Sequence, residues 1–319
     1  MPPESLTVAP AQTVLTDPAS SSALKAPPLQ LLVSDKGDVV AILQHDGADL
    51  REAGTQKDIG FLTGTFGQLK MACNGNISMS MFNDHGQLGR WHVADLSRFR
   101  LLTLPDLPSV AVTPGMLAFE TEGNKLAVAG PQELCFYNAS RRTLTWKYDD
   151  DAIGAGRLVA LSPDGGVVAV TRENGTVQLL ETAKGAPLEA TGNYSAPVQA
   201  IALAPNGTLL AAGLGDDGFD LRDPTGGHPP RAYAYRVAPK ADALVFSADG
   251  QWLAVIAPPA TLDEDFRIGI FNAATGALCW EIQHHGADPA TEQKVVMAFA
   301  PDGKTFYTAA QKLESWTLK

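Results

Sequence analysis

Three carboxylates in a row, Asp263, Glu264 and Asp265, precede the aromatic Phe266, and two adjacent imidazoles, His284 and His285, follow 19 residues after Asp265. Carboxylates and imidazoles are the side chains that hold divalent cations. An acidic run beside an aromatic ring is also the composition of an interface anchor with a polar rim. The metal option meets a geometric obstacle. Neighbouring side chains on an extended chain point to opposite sides, so His284 and His285 do not converge on one ion, and no metal is expected. A second set is Arg157, Gln199 and Asp242, polar residues that stand 42 and 43 residues apart. A hydrolytic site would add His or more carboxylates to such a set, yet His45, His85, His92 and His228 fall outside its period. No Gly-x-Ser-x-Gly, phosphate loop or His-Glu-x-x-His motif occurs.

The spacing of that second set belongs to the whole chain. The segment ALSPDGGVVAV (160–170), an apolar strand, a tight turn and another apolar strand, returns as ALAPNGTLLAA, VFSADGQWLAV and AFAPDGKTFYT. The turn glycines are Gly37, Gly75, Gly123, Gly165, Gly207, Gly250 and Gly303, at intervals of 38, 48, 42, 42, 43 and 53. Glycine there permits the positive φ of a tight hairpin. After each turn a further strand ends in a bulky residue followed by a polar one, as in Trp91-His92, Tyr137-Asn138, Phe271-Asn272 and Trp316-Thr317. Seven units near 42 residues predict blades of four antiparallel strands arranged as a seven-bladed β-propeller. They start near residues 28, 66, 112, 156, 197, 241 and 294.

These pairs and turns resemble the WD-repeat β-propeller family, whose third strands end in Trp-Asp. No unit here has Trp-Asp itself. The resemblance implies a single all-β domain over 1–319 that binds a protein or peptide on its top face. The segment NAATGALCW also looks like the repeat of quinone-dependent dehydrogenase propellers, but it occurs once. The seventh unit ends without a fourth strand. The expectation is that residues 6–15 supply it, closing the ring and covering an open edge, with 16–28 as a linker.

On such a scaffold Arg157, Gln199 and Asp242 start inner strands at the mouth of the central channel. The sixth unit alone has a long connection between its second and third strands (257–266), and the 284–293 link leaves the same end. Asp242, Asp263, Glu264, Asp265, Phe266, His284 and His285 are therefore the candidate binding residues, with Arg157 and Gln199 at the channel mouth. A lactonase-like hydrolytic propeller with its site at that mouth, and a small-ligand sensor, are the alternatives. A net charge of −11 repels phosphate backbones and argues against nucleic acid. Cys73, Cys135 and Cys279 lack metal spacing and sit in apolar strands, which predicts buried reduced thiols. With no signal-like start and no apolar run of membrane length, a cytoplasmic protein without membrane partner or cofactor is expected, as a monomer or as a subunit of a larger assembly.

Overall fold

The computed structural model describes residues 5–6, 8–11, 13–15, 18–34, 36–63, 68–74, 78–83, 87–92, 95–107, 113–153, 157–188, 194–224, 229–238, 243–259, 266–284 and 295–319, with the backbone alone for Ser5, Leu6, Asn206, His284 and 68–103. The chain is all-β, with three single-turn 3-10 segments among the described residues. No helix among them is long and apolar enough to cross a membrane.

Strands pair into successive antiparallel sheets of four, a β-propeller-like set of blades. The first sheet holds β4 (Gln30–Val33), β5 (Val39–Gln44), β6 (Gly47–Glu52) and β7 (Asp58–Thr63). Five more follow the same up-and-down order, with innermost strands β8 (Gln68–Asn74), β12 (Leu117–Phe119), β16 (Val159–Leu161), β20 (Ala200–Leu203) and β24 (Leu244–Phe246). The last sheet has β28 (Val296–Phe299), β29 (Thr305–Ala309) and β30 (Lys312–Thr317) in sequence order. Each innermost strand lies against that of the next sheet, and β28 lies against β4. The alternate apolar residues of middle strands are fully buried between adjacent sheets, as for Val40 and Ile42 of β5, which pack with Tyr307 and Ala309 of the last sheet.

The repeated turn has one geometry. Gly37, Gly123, Gly165, Gly207, Gly250 and Gly303 all take φ between +64° and +71°, which L side chains rarely adopt. In three copies a serine opens the turn, and its hydroxyl accepts from backbone N–H groups on the far side. Ser34 receives Val39, Ser162 receives Val167 and Ser247 receives Trp252. Each bulky–polar pair closes a third strand, and in the first, second, third and sixth sheets the register shifts there. The turn that follows a third strand meets the preceding sheet in the two cases below. Trp146, on the outer strand of sheet three, packs on Gly185 of sheet four, where a β-carbon would lie 2.7 Å from the indole, and its Nε1 donates to the Thr182 carbonyl at 2.7 Å. Arg231 of sheet five donates likewise to the Ala273 and Ala274 carbonyls of sheet six.

The N-terminal residues do something other than the sequence predicts. The fourth strand of the last sheet is β3 (Ser20–Ala23), antiparallel to β30, and not the expected 6–15. Residues 16–28 are therefore not a mere linker. Upstream, β1 (Ser5–Leu6) adds in parallel to β23 (Arg231–Tyr233), the outer strand of sheet five. β2 (Thr13–Leu15) adds in parallel to β27 (Leu278–His284), the outer strand of sheet six. The reason is chemical. The rim position of the last sheet offers polar partners, so it takes the serines: Ser20 Oγ lies 2.8 Å from Ser315 Oγ and accepts from Gln56 Nε2. The apolar Val8, Ala11 and Leu15 instead pack on the core shared by sheets five and six.

Candidate functional site

The end of sheet six carries the expected site as far as it is described. β26 (Phe266–Asn272) and β27 remain paired up to Phe266 opposite His284. The long connection 258–265 enters at Phe266 and the link 285–294 leaves at His284, so the two excursions spring from adjacent strand ends. Phe266 is partly buried against the core of sheets five and six, which fixes the base of the first excursion. Asp242, Asp263, Glu264, Asp265 and His285 lie outside the described residues.

The channel-mouth pair does not act together. Arg157 Nη2 meets Glu173 Oε1 of its own sheet at 3.2 Å. Gln199 packs instead on Gly215, where a β-carbon would lie 2.9 Å from Nε2. One sheet on, Arg236 Nε donates to Asp216 Oδ1 at 2.7 Å. Glu173 and Asp216, turn acids of sheets four and five, are thus each paired with an arginine. These exposed pairs contribute little to stability.

A cavity of about 380 Å³ runs between the innermost strands, with Leu32, Phe119, Leu161, Ala202, Val245 and Phe299 in its wall. Glu120 is the titratable side chain in that wall among the described residues. Its carboxylate accepts from the backbone N–H of Glu122, Asn124 and Lys125, so it serves the turn rather than the cavity. Among the described residues no group of three or more His, Cys, Asp or Glu is placed to hold a metal. Cys135 is buried, and burial pushes its thiol up to about 11, far from a thiolate nucleophile. Cys279 is only partly buried, a correction to the expectation of three buried thiols: it sits on an outer strand.

Sequence reading missed a repeated polar device. Asp-Leu-Arg occurs at 49–51 and again at 220–222, both times inside a third strand. Each Arg binds its own Asp, Nη2 to Oδ2 at 2.8 Å and 2.9 Å, and all four residues are buried. Burial pushes the Asp220 carboxyl up, and the hydrogen bond and charge of Arg222 oppose it. Both arginines reach back toward the previous sheet's rim. Arg222 stacks 3.7 Å above the Tyr194 ring centroid. Arg51 Nη1 donates to Ser22 Oγ at 2.6 Å and Nη2 to the Ala23 carbonyl at 2.9 Å, so sheet one holds the strand that completes the last sheet. The signal was there to be read: an acid and a base two apart in an otherwise apolar strand, twice.

No protein-family model matches the chain, and no curated protein matches it.

Proposed function

We propose that the chain is a seven-bladed β-propeller of WD-repeat type, closed by residues 20–23, and that it is a non-catalytic scaffold. A protein or peptide binds on the end that carries 239–242, 258–265 and 285–294. Several contacts support the ring. β28 lies against β4, the Pro301 ring packs 3.5 Å from where a β-carbon on Gly37 would be, and the Tyr307 hydroxyl of the last sheet donates to the Ala53 carbonyl of the first. The buried bond from Trp316 Nε1 to Thr308 Oγ1 at 2.9 Å supports the WD-repeat kinship, since that family joins its third-strand Trp to a hydroxyl.

The observation that carries the binding reading is the Phe266–His284 pairing. Phe266 and His284, the strand residues that border 258–265 and 285–294 in the sequence, are directly opposed, and an ordered base lowers the entropic cost of docking. The test is a variant with 258–265 cut to a two-residue turn and Asp242, His284 and His285 replaced by Ala. It should melt as the parent does and bind a partner identified with the parent protein at least about tenfold more weakly, the loss of one anchor's worth of contact. Unchanged affinity would refute the site.

A further inference from the structure

We infer that the outer edges of sheets five and six form an acceptor groove for an extended, uncharged peptide strand, and that residues 5–15 of this chain occupy it as an internal competitor. Among the described residues these are the two sheets with a fifth strand, and in both it is parallel to its neighbour. A ring does not need the addition, because the remaining sheets have four strands each. The occupant is thinly held. β1 pairs over two residues and β2 over three, with Val14 half exposed. β27 runs from Leu278 to His284, but β2 covers only Trp280 to Ile282, so a longer strand has more edge to pair with.

The strap has an anchor. From Ser20 onward the chain is pinned by four residue pairs with β30 and by the Arg51 and Gln56 bonds. Upstream, β1 and β2 pair over only two and three residues, so they belong to the segments that open at low cost. Strand addition gains its affinity from backbone hydrogen bonds, which any chain of suitable pattern supplies, and its selectivity from side-chain pockets. Here the side chains packed against the core are Val8, Ala11 and Leu15. The segment SLTVAPAQTVL carries no charged side chain in a protein that is 18% charged, so the groove selects an apolar and hydroxylic strand without charge. A partner displaces a tethered competitor whose effective concentration is about millimolar.

The test uses the full chain with a protease recognition sequence inserted between Thr16 and Asp17, cut after folding. The cut protein should keep its melting transition, because β3 stays in place. It should bind a fluorescently labelled synthetic peptide of residues 1–16, one per chain, by fluorescence polarisation. The uncut protein should bind that peptide at least about tenfold more weakly, as should the cut protein a peptide carrying Val8→Asp and Leu15→Asp. The inference is overturned if the cut protein does not bind the peptide, if a scrambled peptide or the Asp peptide binds equally, if the uncut protein binds as well as the cut one, or if cutting unfolds the protein.

Discussion

A chain shortened to begin at Lys25 is expected to melt about 14 °C below the full chain, about 10 °C of it from β3, whereas one beginning at Asp17 should melt only about 4 °C below it. The first truncation removes β3. It strips β30 of its outer partner and takes from Arg51 and Gln56 the Ser22, Ala23 and Ser20 groups they bind. Lost bonds of this kind cost about 1 kcal/mol each, and about 1.5–3 kcal/mol when one partner is charged, so about 5 kcal/mol is at stake. The second truncation removes only β1 and β2, with the partial burial of Val8, Ala11 and Leu15, about 2 kcal/mol. Thermal melts of the two truncated chains separate the roles. Equal losses would mean that residues 20–23 do not complete the last sheet.

Arg51→Ala should destabilise the protein by about 3–5 kcal/mol, because it leaves Asp49, buried at 3% exposure, without its counter-charge. Arg222→Ala strands Asp220 in the same way and should cost a similar amount. The two variants part in where they loosen. Only Arg51 touches β3, so trypsin should cut after Lys25 much faster in Arg51→Ala than in Arg222→Ala, at temperatures where both remain folded. The double replacement Asp49→Leu with Arg51→Met should recover part of the global stability, since a packed apolar pair avoids the desolvation penalty, yet leave β3 loose. Chemical denaturation with a timed trypsin digest measures both effects. Equal cleavage after Lys25 in the two single variants would contradict the latch.

Much of the fold is legible in the residues because each repeat makes the same demand on its turn. A tight hairpin that needs positive φ writes a glycine, and six described copies fall within a few degrees of one another. The ends of the third strands are legible for a similar reason, since a large side chain must face the neighbouring sheet where the register shifts. The closing strand was not legible. Ser-Ser-Ser-Ala lacks the apolar alternation of a strand, and it is held by partners from elsewhere: Ser315 across the sheet, and Gln56 and Arg51 from the sheet beyond. The apolar run at 6–15 gave a better strand pattern and belongs to other sheets. At the candidate site, loop length and composition correctly put Phe266 and His284 at one end of one sheet. Arg157 and Gln199, placed at the channel mouth by spacing alone, have partners that the repeat does not announce: Glu173, in a turn of Arg157's own sheet, takes the guanidinium.

The proposed closure of the ring by residues 20–23 is tested most directly by a cross-link at its seam. Ser20 and Ser315 are directly opposed across β3 and β30 with their hydroxyls 2.8 Å apart, a placement within reach of a disulfide. The chain carrying Ser20→Cys and Ser315→Cys should form that bond within one molecule under mild oxidation, identified by peptide mapping. It should also gain about 4 kcal/mol in stability from the closed loop. Both introduced thiols remaining free, or cross-linking only between molecules, would contradict the closure.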